Sequence, residues 1–240
     1  VSIHHSIEDE ELLDNSFKAL YNKIDWLAET EKFTFLKCYN NKYITANYFS
    51  NILSVSNEHY GIINLALPVQ AIKSNIRKSY KSLINWGERN LQIRLINHSN
   101  PEKLVFDDFK KFHISTSGRQ TRNDRTWEIQ YEMILNGEGY LTAAFYNNNL
   151  VSANLFLHGT EEAFYAVAVN DRKLMSDNIP IAHYPIYYSI LHAKKIGMKI
   201  MNMDLIDQNS EDIKKNNIAK FKKGFVNTVV NRTVYHFKLN

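Results

Sequence analysis

Cysteine, glycine and long apolar runs are all scarce in this chain of 240 residues. Its single cysteine, Cys38, excludes an internal disulfide and a cysteine-rich zinc site. No apolar run approaches the roughly 20 residues that span a bilayer, so we expect no membrane-spanning helix. The opening residues VSIHHSIEDEELLDN lack the charged and apolar regions of a signal peptide, and we therefore expect a cytoplasmic protein.

Familiar signatures of metal and hydrolase chemistry are also missing. The nine histidines show no HExxH spacing, and no G-x-S-x-G occurs around any serine. His4 and His5 are adjacent, but two neighbouring histidines do not complete a metal site. The sequence therefore predicts neither a zinc enzyme nor a Ser-His-Asp hydrolase.

The residues that are abundant indicate a globular protein. Apolar residues make up 44% of the chain and aromatic residues 12%, which is enough for one large core or two small ones. The first part of the chain shows a helical pattern at 7–29, followed by strand-like runs at 33–39, 43–49, 52–55 and 61–67. This opening region of 69 residues is too short for a complete second domain.

The middle of the chain alternates helix and strand patterns. Apolar spacing predicts a helix at 70–88, a strand at 91–96 and two further helices at 101–116 and 126–136. The period then changes to two. Three short runs separated by turns, at 140–146, 150–157 and 163–169, predict an antiparallel meander.

The meander leads into a crossover. A polar loop from Asp171 to His183 is followed by a helix, with Pro180 and Pro185 near its entrance, and by a strand at 200–205. Loops at such junctions are where open sheets usually place ligands, so this loop is the first candidate for a binding site.

Basic residues form three clusters although the net charge is only +4. One lies between Lys73 and Arg94, one between Arg119 and Arg125, and one between Lys220 and Lys223. Three separate clusters favour a phosphate-bearing ligand such as a nucleotide, a coenzyme or RNA, whereas any single cluster is more simply explained as a solvent-facing helix surface. We predict that four of these residues face one cleft and bind phosphate, namely Arg77, Lys81, Arg119 and Arg122.

The order of these elements resembles the GNAT acyltransferase fold, and four segments resemble its FemAB-like branch. They are IRKSYKSLINWGERN, FHISTSGRQTRNDRTWEIQ, PIAHYPIYYSILHAKKIGMK and AKFKKGFV. The resemblance implies an α+β protein with a mixed central sheet flanked by helices. Residues 1–69 would then be a partial amino-terminal GNAT-like region and residues 70–240 a GNAT-like acyltransferase domain.

The same resemblance implies an N-acyltransferase that moves an acyl or aminoacyl group to an amine on a peptidoglycan or surface-glycan precursor. The expected donor is aminoacyl-tRNA or acyl-CoA, with no tightly bound cofactor. The expected acceptor bears a phosphate, as a nucleotide-sugar or glycan precursor does, and tRNA is a further expected partner. The loop VNDRKLMSDNIPIAHYP contains no glycine, which disfavours acetyl-CoA bound in the usual GNAT manner.

Two other functions fit the same pattern. One is a catalytically silent GNAT-like module that binds a nucleotide-sugar or a nucleic acid. The other is a conventional acetyl-CoA-dependent N-acetyltransferase.

The candidate catalytic residues come from the crossover and from AKFKKGFV. By resemblance, Lys222 neutralises a phosphate or a developing oxyanion, although a lysine at a helix end is also explained by the helix dipole. Asp204 and His183 are candidate proton acceptors, with a strand-end cap and helix packing as their alternative roles. Tyr165 is expected at the edge of the acceptor site.

The last predicted helix begins near Asp212. Its apolar spacing predicts that Ile218 and Phe221 face the core, that Gly224 ends the helix and that Phe225 opens a closing strand.

Overall fold

The computed structural model describes residues 35–39, 52–206 and 211–238. The chain divides into two compact units, 1–58 with 231–240 and 59–230. In the first unit, strand β1 (Phe35–Tyr39) runs antiparallel to the end of strand β8 (Thr228–Lys238), with Phe35 opposite Lys238. The predicted helix at 7–29 and strand at 43–49 lie outside the described residues.

Six further strands are β2 (Ile52–Asn64), β3 (Gln92–Ile96), β4 (Gly139–Tyr146), β5 (Asn149–His158), β6 (Glu162–Asn170) and β7 (Ile200–Leu205). The second unit is built on these strands, which form a mixed sheet in the order β2-β7-β6-β5-β4-β3. Strands β3 to β6 are antiparallel, β6 and β7 are parallel, and β7 and β2 are antiparallel. The predicted α+β class, meander and crossover are therefore confirmed.

Seven helices are described: α1 (Val69–Asn75), α2 (Lys78–Asn90), α3 (Lys103–Ser117), α4 (Asp124–Leu135), α5 (Arg172–Ser176), α6 (His183–Lys195) and α7 (Ile213–Lys223). None of the helices in the described ranges is both long and apolar enough to cross a membrane.

Helices cover both faces of the sheet. Tyr140 and Phe156 project from one face into a core that also contains residues of α2 and α6. The neighbouring Leu141 and Leu155 project from the other face into a second core, formed with α3 and α4. Because successive side chains of a strand point to opposite faces, the two cores lie on opposite sides of the sheet. We call them the α6 face and the α3 face.

The predicted helix at 70–88 is wrong in one respect, because it is broken into α1 and α2. Ile76 and Arg77 adopt extended backbone conformations, with ψ of 137° and 131°. Ile76 is 2% exposed, and the backbone N–H of Arg77 donates to the Gly224 carbonyl at 2.8 Å. A hydrogen bond to a distant segment thus replaces a helical one.

Strand β2 also differs from the prediction. The runs at 52–55 and 61–67 were predicted as two strands, but one continuous strand covers Ile52–Asn64, and residues 65–67 form the turn into α1. The polar stretch SNEHY between the two runs conceals this continuity at the level of sequence. Pairing with a neighbouring strand satisfies backbone groups whatever the side chains, so polar residues can continue a strand.

Helix α7 begins as predicted but buries different side chains. Asp212 caps it by accepting from the N–H groups of Lys214 and Lys215. Ile218 is 45% exposed, so its predicted burial is wrong, whereas Phe221 packs against the core. Lys222 is only 6% exposed. The packed face of α7 therefore carries a lysine.

Candidate functional site

The parallel strands β6 and β7 separate in the middle of the sheet. They pair only between Glu162–Phe164 and Ile200–Asn202, although β6 continues to Asn170 and β7 to Leu205. We call the stretch beyond Phe164 and Asn202 the strand gap. Candidate site residues from β6, β7 and α7 meet there.

Lys222 of α7 and Asp204 of β7 form an ion pair beside the strand gap. The distance from Lys222 Nζ to Asp204 Oδ2 is 3.0 Å, and the lysine side chain is 8% exposed against 36% for the aspartate. Asp204 has a φ of 65°, a left-handed conformation that is uncommon outside glycine. Its N–H donates to the Asn202 side chain at 2.8 Å, which holds this turn. Both residues are candidate catalytic residues of the sequence analysis, and the structure brings them into contact.

Tyr165 of β6 lies next to this pair. Lys222 Nζ is 5.7 Å from the centre of the tyrosine ring, within the range of a cation–π contact. The Tyr165 hydroxyl donates to Asn154 Oδ1 on β5 at 3.2 Å. Burial raises the pKa of this hydroxyl, so it remains a neutral hydrogen-bond donor.

Beyond Tyr165, the α6 face of β5 and β6 carries buried polar groups. Ser152 Oγ, Asn154 Nδ2 and Asn170 Oδ1 have no hydrogen-bond partner among the described residues. Ser152 and Asn154 are 0% and 1% exposed, and Asn170 lies directly opposite Ser152. We call these three residues the polar row. Because an unpaired buried polar group costs about 1–3 kcal/mol, a water or a ligand that bonds to the row would stabilise it.

His183, at the start of α6, lies within an aromatic cluster. Its ring centre is 4.5 Å from that of Tyr80, 5.3 Å from Phe221 and 6.2 Å from Phe225. Burial, together with the charge of Arg77, lowers the pKa of His183 to about 4. A neutral imidazole with so low a pKa is a weak proton acceptor, and the contacts favour the packing role.

Arg77 lies just before α2, whereas Lys81 lies in its first turn. Arg77 donates to the Tyr80 hydroxyl and to the Lys220 carbonyl, both at 3.0 Å. Lys81 Nζ reaches back to the Ser74 carbonyl at 3.3 Å. Both cations are thus engaged with the protein.

Arg119 and Arg122 lie in the connection between α3 and α4. Arg119 is exposed. The guanidinium of Arg122 is 5.6 Å from the Trp127 ring centre and 3.5 Å from His113 Nε2, and burial lowers its pKa. Three buried polar atoms of α3 and α4 have no hydrogen-bond partner in the described part of the chain, namely His113 Nδ1, Trp127 Nε1 and Gln130 Oε1.

The prediction that all four basic residues face one cleft is wrong. Arg77 contacts Tyr80, which belongs to the core of the α6 face, whereas Arg122 stacks on Trp127 in the core of the α3 face. The sheet separates the two pairs. Charge clustering along the chain does not reveal which side of a sheet each residue occupies.

Sequence reasoning missed the polar row and the role of Tyr80. The run VSANLF shows polar residues at alternate positions of an apolar strand, a signal that identifies Ser152 and Asn154 as inward-facing. No local signal marks the contact of Tyr80 with α7, because the Phe221 carbonyl that accepts from its hydroxyl is 141 residues away in the chain.

The arrangement offers hydrogen-bond donors and charge. Within the described ranges, no group of three or more His, Cys, Asp or Glu side chains is arranged to hold a metal ion. The start of α6 has no side-chain cap, and Ile181 and Ala182 beside it are buried. What converges on the strand gap is an ammonium, a carboxylate and a phenol.

Comparisons with known proteins find the fold but no close relative. No protein-family model matches the chain, and no curated protein sequence matches it. Among solved structures, FemX aligns with a TM-score of 0.58 at 12% identity, over 91% of this chain and 76% of FemX. A tandem GNAT protein from the clavulanic acid biosynthesis pathway aligns with a TM-score of 0.50 at 11% identity, over 93% and 70%.

A third similar structure comes from Agrobacterium fabrum. It is the carboxyl-terminal domain of a protein described as a lysylphosphatidylglycerol synthetase, with a TM-score of 0.54 at 10% identity. The alignment covers 78% of this chain and only 61% of that domain. These similarities show that the chain has a GNAT-like α+β fold.

Proposed function

We propose that the protein is an N-acyltransferase, of the FemAB-like kind, that transfers an acyl or aminoacyl group to an amine on a cell-wall or surface-glycan precursor. The observation that carries the proposal is the buried Lys222, held by Asp204 and facing Tyr165 beside the strand gap. A lysine side chain that is 8% exposed is rare without a function or a partner.

The chemistry needs little more than positioning and charge. The amine nitrogen attacks the carbonyl carbon of an ester or thioester, so a C–N bond forms while a C–O or C–S bond breaks. One proton passes from the amine to the leaving group. Negative charge develops on the carbonyl oxygen, and the Lys222 ammonium stabilises it. Asp204 holds the ammonium in place, and its partly exposed carboxylate is positioned to accept the amine proton.

The donor is proposed to lie along the strand gap. An extended donor with amide or hydroxyl groups there would supply partners for the polar row. Aminoacyl-tRNA and acyl-CoA both meet this description. The glycine-free connection between β6 and α6 favours aminoacyl-tRNA, since a coenzyme A pyrophosphate ordinarily rests on bare glycine amides.

The acceptor is proposed to carry a phosphate, as a nucleotide-sugar or glycan precursor does. Arg122 makes no ion pair with a carboxylate among the described residues, and Arg119 beside it is exposed. A half-buried guanidinium that has no carboxylate counter-ion among the described residues suits an anionic group.

Turnover tests the proposal directly. The purified protein is incubated with aminoacyl-tRNA or acetyl-CoA and an amino-sugar nucleotide, and the acceptor's mass is measured. Lys222→Ala should lower turnover about a hundredfold or more, whereas Lys223→Ala, one residue along and exposed, should not. Lys222→Met, which keeps the packed stem, controls for folding.

The outcomes separate the candidates. A donor-dependent mass gain that Lys222→Ala and Lys222→Met both abolish supports the transferase. Near-normal turnover by either variant contradicts the role of Lys222. Binding of a nucleotide-sugar or a nucleic acid without turnover supports a silent module, and turnover with acetyl-CoA alone supports a conventional N-acetyltransferase.

A further inference from the structure

Arg77 joins two segments that are far apart in the chain. Its Nη2 donates to the Lys220 carbonyl at 3.0 Å, and its backbone N–H donates to the Gly224 carbonyl at 2.8 Å. Both acceptors lie at the carboxyl end of α7, on either side of Lys222. A residue just before α2 thus binds the end of the helix that carries the candidate catalytic lysine.

Tyr80 completes this contact. Its hydroxyl accepts from Arg77 Nη1 at 3.0 Å and donates to the Phe221 carbonyl at 3.3 Å. The guanidinium also lies 4.8 Å from the centre of the tyrosine ring. We call Arg77 and Tyr80 the α7 clamp.

The clamp acts where a helix needs outside partners. The last four carbonyl groups of an α-helix have no intrahelical donor, and the helix dipole favours a cation at this end. Here the carbonyls of Lys220 and Phe221 receive donors from another element. The backbone on the amino side of Lys222 is therefore fixed by tertiary hydrogen bonds.

We propose that Arg77, with Tyr80, is a positioning residue that holds Lys222 at the strand gap. This inference rests on the proposed function, because it takes Lys222 as the group that stabilises the oxyanion. It replaces the substrate-phosphate role predicted for Arg77 from the sequence. Two of the guanidinium nitrogens already donate to the protein. The position of Lys222 matters because a placement error of about 1 Å in a catalytic group can cost on the order of a hundredfold in rate.

Two variants weaken the clamp by different routes. Arg77→Lys keeps the charge but loses the fork that reaches Tyr80 and Lys220 together. Tyr80→Phe keeps the ring and removes only the hydroxyl. Lys78→Ala is the matched control. Lys78 is exposed, and its substitution removes a neighbouring charge without changing either clamp residue.

Steady-state kinetics gives the first measurement. Both clamp variants should lower kcat about tenfold or more with little change in the acceptor's KM, because the loss falls on a transition-state interaction. Lys78→Ala should match the wild type. A raised KM with unchanged kcat in Arg77→Lys would instead assign Arg77 to substrate binding and overturn the proposal.

Hydrogen exchange gives a second measurement that needs no turnover. Amides of residues 220–225 should exchange about tenfold faster in both clamp variants, while those of α3 should not change. If the wild type has no transferase activity and exchange still accelerates, the proposed function fails but the clamp stands. Unchanged exchange in Tyr80→Phe, which is the variant more certain to fold, overturns the clamp.

Discussion

At the scale of single residues, Lys222 is a buried cation at a position where most proteins have an apolar side chain. Removing an ammonium from water costs several kcal/mol unless a charged partner compensates. Asp204 is that partner, and it adopts a φ of 65° to present its carboxylate. A left-handed non-glycine residue costs on the order of 1 kcal/mol. Such strain beside an ion pair is typical of a functional site.

Arg122 gives a prediction at this scale. Arg122→Ala should raise the acceptor's KM by roughly tenfold or more, because a charge-assisted contact to an anion contributes about 1.5–3 kcal/mol. Arg125, which already pairs with Glu128 and Glu132, provides the matched control as Arg125→Ala. Kinetics against acceptor concentration and thermal melting should be measured together. Equal losses of melting temperature in both variants with an unchanged KM would make Arg122 a structural residue.

At the scale of elements, the glycine that ends α7 packs closely against α2. Gly224 follows the helix, and its backbone is right-handed, with a φ of −70°. It is therefore not required for a left-handed turn. Its role is close approach, since an added Cβ would lie 2.1 Å from Cε2 of Tyr80.

Gly224→Ala should therefore displace Tyr80 and destabilise the protein. Overpacking of this kind typically costs about 1–3 kcal/mol, and urea denaturation measures it. Gly159→Ala is the control, because nothing lies within 4 Å of its added Cβ. If both variants unfold at the same urea concentration, the contact between Gly224 and Tyr80 is not tight in solution.

At the scale of the whole second unit, one sheet face carries histidines that are neutral because they are buried. The pKa values of His183 and His192 are both lowered to about 4, mainly by burial. Both helical histidines pack on the α6 face, against Tyr80 and Tyr140 respectively. Each binds its proton more weakly in the folded state than in the unfolded chain, where the pKa is about 6.5.

Stability should consequently fall in acid. Between pH 6.5 and 4 the unfolded chain takes up protons that folded His183 does not, so the free energy of unfolding decreases as the pH falls. For His183 the loss is at most roughly 3 kcal/mol. Urea titrations at pH 7.5, 5.5 and 4.5 should show a smaller loss in His183→Phe than in the wild type. His98 is exposed, and His98→Phe serves as the control. If the free energy of unfolding falls with pH as steeply in His183→Phe as in the wild type, the assigned burial of His183 is contradicted.

Local patterns in the chain were sufficient for most elements. Alternation between apolar and polar residues located the meander of β4 to β6, and Pro180 and Pro185 located the start of α6, because these signals act over a few residues. Lys222 was a candidate by resemblance in motif and Asp204 by its place at the end of a strand, whereas their contact at 3.0 Å is seen only in the structure.

Tertiary structure alone decided what distant segments do to one another. The break at Ile76–Arg77 depends on a carbonyl at Gly224, and Tyr80 acquires its role from Phe221, so neither could be read from neighbouring residues. Arg77 and Arg122 resemble each other in sequence as members of basic clusters. The sheet places them on opposite faces, because the side on which a helix packs is set by chain topology and core burial rather than by charge.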